Sequence, residues 1–360
     1  TYYYCKTVNT VDAKLPKWKK NFYLQLFGTS SNFKGVLITL LLHPSSFFET
    51  LVLVHWSLEF FLFCNHHKRS GPCLHWLCFE AISTRSSLNR KTAIMLLVLT
   101  GVIWSTGGFM IKLIPWPPMA IAGLRSGLTA IVIFGYSRPR DLRFGINTWA
   151  GAICYALMVI CFVMGNKMTS SGNVILIQYA APVYVALFGY SFLGERATKV
   201  DWIAIVIILF GLGCFFMEEL SFNELWGNIL ALFSGIGFAG LTLFMRKQKN
   251  ARPIDSVLIG NLATFLFCSP FYFGGVTFDA VSLMYISFLG IIQLGFAYIL
   301  YSIAIKHVSA LDAIIYPVIE PIFNPILAFI FLGENMGSIS ILGGLMIVFG
   351  VVSRSILQNK

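Results

Sequence analysis

Two stretches of the chain decide its architecture. Residues 318–334 read VIEPIFNPILAFIFLGE and residues 179–195 read YAAPVYVALFGYSFLGE, and they align without a gap at an offset of 139. Both are apolar, both keep a proline at the same place (Pro182 and Pro321) and both end in LGE. Glu320 interrupts the apolar run of one copy, where the other copy has alanine. The chain therefore contains an internal repeat.

The repeat extends beyond these two stretches. At an offset of 134, LTGVIW at 99–104 aligns with FSGIGF at 233–238, and each segment leads to a basic residue, Lys112 or Arg246. We therefore expect two equivalent units, residues 91–219 and residues 220–360.

The composition is typical of an integral membrane protein. Hydrophobic residues make up 57% of the chain, charged residues 11%, and the mean hydropathy is +0.77. Soluble domains contain roughly 25% charged residues. Because one large core cannot explain so few charges, most of the surface is expected to face lipid.

Apolar runs separated by short polar breaks recur from Lys91 onward. Most can cross about 30 Å of hydrocarbon at a rise of 1.5 Å per residue. They are continuous, not alternating, so they predict helices. The predicted fold class is all-α with ten transmembrane helices, at 93–112, 118–136, 148–166, 172–193, 200–217, 226–245, 256–273, 282–304, 310–332 and 339–356.

Lysine and arginine predict the orientation, because cytoplasmic loops are enriched in both. With a cytoplasmic N-terminus, the inner segments hold 15 basic residues and the outer loops only Lys112 and Lys167. The inner residues are Arg85, Arg90, Lys91, Arg138, Arg140, Arg143, Arg196, Lys199, Arg246, Lys247, Lys249, Arg252, Lys306, Arg354 and Lys360. Both ends of the ten-span unit are therefore predicted to be cytoplasmic.

An odd number of spans per repeat makes the second copy enter the membrane from the opposite side. Inverted-topology repeats are typical of secondary transporters, which bind substrate near the midplane between the halves. The alternative is a duplicated bundle with a purely structural role.

Several motifs resemble those of the EamA-type drug/metabolite transporters. They are WSTGGFMIK from Trp104 to Lys112, AGLRSGL around Arg125, the two P-x(10)-LGE endings, and the pair Glu320-Pro321. The resemblance covers about residues 91–356 and implies a ten-span carrier made of two five-helix repeats. It does not choose a substrate, because members carry amino acids, drugs, nucleobases and nucleotide sugars.

Ionisable and polar residues deep in the spans are the candidates for substrate binding or coupling. A charge there is costly unless it faces a cavity or a partner. The predicted set is Glu320, Arg125, Trp104, Gln178, Tyr179, Gln293, Tyr298 and Tyr316. Tyr155 and Asn324 lie at similar depth.

Each charged candidate has two interpretations. Glu320 is a counter-charge for a substrate ammonium group or a proton carrier, or else it bridges helices loosened by the prolines. Arg125 binds a substrate carboxylate bidentately, or else it is an anchor that reaches the interface or forms an ion pair. Glu195 and Glu334, each after LG, are expected to be helix caps or gates.

Prolines are expected to bend two of the helices. Each proline removes a backbone donor and clashes with the preceding turn. Pro182 affects the fourth span, and Pro317, Pro321 and Pro325 affect the ninth. Bends in these pseudo-symmetric helices are expected to act in alternating access.

Residues 1–90 differ from the rest of the chain. All 11 methionines lie at Met95 or later, and the apolar patches in this region are interrupted by His43, Pro44 and Glu49, with Glu59 inside the second patch. We expect a poorly ordered extension or a non-native gene start. Cysteines and histidines at 64–78 match no standard zinc spacing, so no metal and no cofactor is predicted.

The predicted function is export of small metabolites, amino acids or related amphipathic compounds. The alternative is an uptake permease for a nucleobase, cofactor or nucleotide sugar; an intramembrane enzyme or receptor is a third hypothesis. No HExxH motif or P-loop is present, so no enzymatic activity is predicted. The expected partners are a small-molecule substrate and the lipid bilayer, without nucleic acid, for a monomer or homodimer in a bacterial inner membrane.

Overall fold

Helices form nearly all of the part of the chain that the structure describes. It is a computed structural model and describes residues 88–139, 144–215, 217, 224–276, 279–323 and 338–358. No strand occurs within these ranges. The expectations for residues 1–87, and for Asn324, Pro325 and Glu334, lie outside the described residues.

The first repeat contains seven described helices. They are α1 (Arg90–Trp104), α2 (Gly107–Leu113), α3 (Pro118–Ser137), α4 (Ile146–Met168), α5 (Ser171–Gln178), α6 (Ala181–Leu193) and α7 (Lys199–Phe215). Two predicted spans are thus interrupted once each, between α1 and α2 and between α5 and α6.

The second repeat contains six described α-helices and three other helical segments. The α-helices are α8 (Leu225–Lys247), α9 (Ile254–Phe267), α10 (Ala280–Phe288), α11 (Ala297–Ala304), α12 (Ala310–Ile315) and α13 (Ser338–Gln358). A 3₁₀ turn, Ser269–Phe271, follows α9. A π-helical segment, Leu289–Phe296, joins α10 to α11. A second 3₁₀ segment, Tyr316–Ile319, follows α12.

Six helical stretches are long and apolar enough to cross a membrane. They are Arg90–Leu113, Pro118–Ser137, Ile146–Met168, Ser171–Leu193, Leu225–Lys247 and Ala280–Ala304, with two shorter apolar helices at Ile254–Phe267 and Ile341–Leu357. Helix α9 ends six residues before the predicted seventh span does, because Pro270 redirects the chain into the 3₁₀ turn.

Local sequence explains where the repeated helices begin. Ser170 caps α5 by accepting a hydrogen bond from the backbone N–H of Asn173. Ser309 caps α12 in the same way through Asp312, whose carboxylate completes a capping box. These two caps are related by the repeat offset of 139.

Buried ion pairs gather helix ends from both repeats at one end of the bundle. Arg354 of α13 lies 2.8 Å from Asp201 of α7 and 2.6 Å from Asp312 of α12. Asp312 also lies 3.2 Å from Arg90 at the start of α1. A buried charge is costly unless it is paired, so this network fixes these helix ends together.

Candidate functional site

A small cavity brings together most of the polar residues that the sequence predicted for binding. Its volume is about 40 Å³. Six of the eight predicted residues line it: Trp104, Arg125, Gln178, Gln293, Tyr298 and Glu320. These come from α1, α3, α5, the π-helical segment, α11 and the end of the 3₁₀ segment, so both repeats contribute. Of the other two, Tyr179 contacts Glu320 and Tyr316 is buried without lining the cavity.

Arg125 lies on α3 and is 1% exposed. Its Nε and Nη1 atoms have no hydrogen-bond partner, and none of the ion pairs among the described residues includes Arg125. The interpretation of Arg125 as an anchor at the interface or an ion-paired residue is therefore not supported. Because buried donors normally have acceptors, this guanidinium suits an anionic group in the cavity.

Glu320 is buried where the 3₁₀ segment ends. Its Oε2 lies 2.9 Å from the hydroxyl oxygen of Tyr179, which follows α5. The same hydroxyl lies 2.9 Å from the carbonyl oxygen of Pro317. Tyr179 and Glu320 belong to different repeats, so this contact joins the two interrupted helices.

Aromatic rings form one side of the cavity. The Trp104 ring lies 5.1 Å from the Tyr298 ring and 5.7 Å from the Phe238 ring, between centroids. Tyr298 also packs against Tyr155, whose hydroxyl donates to Asn261 at 3.0 Å. Such rings offer an apolar surface with polar edges, which suits an amphipathic ligand.

The two glutamines have different surroundings. The amide nitrogen of Gln178 donates to Ser234 at 2.7 Å, and Ser234 donates to the backbone of α4, so Gln178 ties helices together. Gln293 lies on the π-helical segment, and its Oε1 is buried without a partner. π-helical turns are rare and often occur at functional sites, so Gln293 is the glutamine that is free to bind a ligand.

Ser234 and Thr129 are polar residues of this region that the sequence reasoning did not select. The Thr129 hydroxyl donates across to the Gly290 carbonyl of the π-helical segment at 2.7 Å. Ser234 had a usable signal, because it is the repeat counterpart of Thr100. Thr129 had none, since single threonines in apolar helices usually bond to their own backbone, as Thr129 also does to Arg125.

The prolines lie where the two helices are interrupted. Pro182 is in the first turn of α6, directly after the break at Tyr179 and Ala180. Pro317 lies in the 3₁₀ segment and Pro321 follows it. The breaks occupy equivalent positions in the two repeats and lie next to the cavity.

A second, open pocket of about 500 Å³ lies at the end of the bundle opposite the ion-pair network. It is lined by Lys112, Asn166, Lys167, Met168, Thr169, Ser170 and Glu224. These residues belong to the ends of α2 and α4 and the starts of α5 and α8. The two bundle ends therefore differ: one is held together by ion pairs and the other is open.

The fold and the cavity define a multi-pass helical membrane protein with a polar site between two repeats. A family model described as the EamA-like transporter family matches residues 91–217 and 225–355. The chain belongs to this family and is a transporter of the drug/metabolite type.

Several curated proteins and solved structures are similar to the chain. An uncharacterized transporter of Archaeoglobus fulgidus is 25% identical over 263 residues, covering 71% of this chain and 93% of that protein. The pseudopaline exporter CntI of Pseudomonas aeruginosa is 23% identical over 287 residues, covering 74% and 96%. A crystal structure matches the fold with a TM-score of 0.65 at 17% identity, covering 75% of this chain and 99% of that one.

Proposed function

We propose that the protein exports small zwitterionic metabolites, amino acids or related amphipathic compounds, by alternating access. The proposed transport unit has ten spans and lies in a bacterial inner membrane. Both ends of this unit are in the cytoplasm. It works as a monomer or homodimer, without a cofactor, enzymatic activity or nucleic-acid partner. The observation that supports this proposal is that a guanidinium group and a carboxyl group line one cavity without forming an ion pair.

Arg125 and Glu320 line the same cavity without pairing with each other. Tyr298 lines the same cavity, so the cavity wall carries a guanidinium group, a carboxyl group and an aromatic ring. A guanidinium binds a carboxylate in fork geometry, and a carboxylate accepts from an ammonium group. A zwitterion therefore complements both Arg125 and Glu320, and the rings of Trp104 and Tyr298 complement its apolar part.

The size of the cavity supports alternating access. Small-molecule pockets usually measure about 300–1,000 Å³, whereas this cavity measures about 40 Å³. A metabolite enters only if the surrounding helices separate. The interruptions at Tyr179 and at Tyr316–Ile319 are the places where helices can bend without losing regular backbone hydrogen bonds.

Export is favoured by the relative that is named an exporter. The competing function is uptake of a nucleobase, cofactor or nucleotide sugar, which the aromatic rings at Trp104 favour because they can stack a base. The two functions predict different substrates for the same cavity.

Counterflow in proteoliposomes separates them. The full chain is reconstituted, loaded with one unlabelled compound, and offered labelled amino acids, amines lacking the carboxylate, nucleobases and nucleotide sugars. Exchange of amino acids but not of the matching amines supports the proposal. Exchange of nucleobases or nucleotide sugars alone replaces it with the competing function, and no exchange of any compound contradicts both.

A further inference from the structure

The hydroxyl group of Tyr179 lies within hydrogen-bond distance of two oxygen atoms, but it has only one hydrogen atom. Its oxygen lies 2.9 Å from the Pro317 carbonyl oxygen and 2.9 Å from Oε2 of Glu320. A tyrosine hydroxyl donates one hydrogen bond, and a carbonyl or an ionised carboxylate can only accept. A single O–H can be shared between two acceptors, as at Thr129, but the Tyr179 oxygen makes a full hydrogen bond to each neighbour only if one of them also carries a proton.

Glu320 is the neighbour that can carry it. When Glu320 is protonated, its O–H donates to the Tyr179 oxygen, and Tyr179 donates to Pro317. When Glu320 is ionised, Tyr179 turns its hydrogen toward the carboxylate, because charge-assisted hydrogen bonds are the stronger ones. The Tyr179 and Pro317 oxygens then face each other without a hydrogen between them, and their close approach becomes repulsive.

Backbone chemistry explains why Pro317 presents a carbonyl here. The regular helical donor for this carbonyl is the N–H four residues later, but Pro321 has none. The N–H of Glu320 bonds to it instead, in 3₁₀ fashion. This tighter turn leaves a lone pair of the Pro317 oxygen directed at Tyr179.

We infer that Tyr179 is a proton-sensing tether between the two repeats. Protonated Glu320 holds the 3₁₀ segment Tyr316–Ile319 against the break between α5 and α6, as in the conformation described here. Loss of the Glu320 proton to the cavity breaks the Tyr179–Pro317 bond, so that Tyr179 holds the segment only at its end, through Glu320. Tyr179 keeps its own proton throughout. This inference rests on the proposed function and adds to it the step that couples a proton to helix movement.

Among the residues that the structure describes, no cationic side chain is in direct contact with Glu320. The titratable or charged groups that face this pair are Tyr298 and Tyr301 of α11 and, across the cavity, Arg125 of α3. None of the ion pairs among the described residues includes Glu320. The Tyr179 hydroxyl is therefore the group that responds to the charge of Glu320.

The first test measures the proton directly and needs no substrate. The full chain in liposomes is titrated while the infrared band of protonated carboxylic acids is recorded, and Glu320→Gln is compared with the wild type. We expect a band that disappears as the pH rises and that is missing in Glu320→Gln. A wild-type spectrum identical to that of Glu320→Gln at every pH overturns the inference, whatever the protein transports.

The second test measures the tether. Lys112→Cys places a thiol in the open pocket, and its labelling by a membrane-impermeant reagent reports how often that end is open. The parent chain reports background labelling of the native cysteines. Adding Tyr179→Phe should lower labelling roughly fivefold at pH values where the infrared band is present, the size expected for one hydrogen bond.

The pH dependence of that effect distinguishes a tether from a merely structural hydroxyl. Above the pH at which the band is lost, the effect of Tyr179→Phe on labelling should be smaller, because the bond to Pro317 is already broken and only the bond to the Glu320 carboxylate remains to be removed. In a Glu320→Gln background its effect should persist at every pH, since the glutamine amide can donate to Tyr179. Tyr184→Phe, a hydroxyl deletion on α6, is the control. An effect of Tyr179→Phe that is equal at all pH values contradicts the inference.

Discussion

At the scale of single residues, the main feature of the candidate site is that two side-chain nitrogens of Arg125 have no hydrogen-bond partner. Deep in an apolar bundle, an arginine is normally paired or reaches water, yet Arg125 is 1% exposed and its Nε and Nη1 atoms have no partner. The simplest physical reason for keeping such a residue is an anionic ligand. Under the proposed function, that ligand is the transported compound, because Arg125 lines the cavity.

Arg125→Lys tests this role. A lysine keeps the charge but loses the planar fork that matches a carboxylate. We expect the KM for an amino acid to rise by about tenfold or more, the effect of losing one charged hydrogen bond. Exchange is measured by counterflow, and the melting temperature in detergent is the control for correct folding of the variant. An unchanged KM in a folded variant contradicts carboxylate binding.

His307 offers a control on pH dependence. It is the sole histidine after residue 90 and lies outside the apolar spans; burial lowers the pKa of its imidazole, and nearby Lys306 and Arg246 lower that pKa further. The unfolded chain therefore binds this proton more readily, so stability falls as the pH drops through about 6.5 and below. His307→Gln should reduce the acid-induced loss of melting temperature. It should leave the pH profile of transport above pH 7 unchanged; a flattened profile would assign the pH response to His307 instead of Glu320.

At the scale of helices, close approach to the broken helix depends on glycine. A Cβ atom at Gly101 of α1 would lie 2.7 Å from the Pro317 carbonyl oxygen and 2.7 Å from the Ile319 side chain. The carbonyl belongs to backbone that is already held in the 3₁₀ segment. A Cβ atom at the repeat counterpart, Gly235, would likewise lie very close to the backbone of Gln178. Both repeats therefore place a glycine against the interrupted helix.

Gly101→Ala should therefore destabilise the protein by about 1–3 kcal/mol, the usual cost of overpacking. The measurement is thermal unfolding in detergent. Gly135→Ala on α3 is the matched control, because its Cβ would have no neighbour within 4 Å and alanine is the better helix former. Equal melting temperatures for Gly101→Ala and the wild type would show that α1 can move away from the 3₁₀ segment.

The helices also show how far local sequence reasoning reaches. The interruption near Tyr179 and the 3₁₀ segment were expected from Pro182, Pro317 and Pro321, since a missing N–H acts locally. The π-helical segment, Leu289–Phe296, carries no proline and was not expected. In this segment Gly290 lies close to α3. That approach depends on how the helices pack, not on the local sequence.

At the scale of the whole molecule, one end of the bundle is closed by a carboxylate. Glu195 at the end of α6 lies 2.7 Å from Arg246 of α8 and accepts from the N–H of Ala310, the first residue of α12, at 2.8 Å. It joins three helix ends from both repeats, opposite the open pocket around Lys112. Opening this end requires both contacts to break.

Charge reversal separates the two contacts. Arg246→Glu should lower exchange and melting temperature, because it places two carboxylates together. Combining it with Glu195→Arg restores the ion pair but not the bond to Ala310, since arginine cannot accept it. It also does not restore the bonds from Arg246 to the Ile305 and Lys306 carbonyls. We therefore expect partial recovery, measured by the same counterflow and unfolding assays. Full recovery would show that these unrestored bonds contribute nothing, and no recovery would show that the ion pair contributes nothing.

The sequence by itself determined the membrane class, the repeat and the two helix breaks that lie at prolines. Each depends on neighbouring residues: enough apolar side chains in a row to match hydrocarbon, a register shared by two stretches, and prolines that remove a backbone donor. The family resemblance followed from the same motifs. The candidate residues followed from the cost of placing polar groups in such runs.

The tertiary structure alone decided how those candidates are used. Tyr179 and Glu320 are 141 residues apart in the chain, and their contact depends on how two broken helices from different repeats meet. The lack of an ion pair at Arg125 and the hydrogen bond from Gln178 to Ser234 likewise depend on helix rotation and packing. Such partners are fixed by distance and direction in space, and spacing along the chain does not encode them.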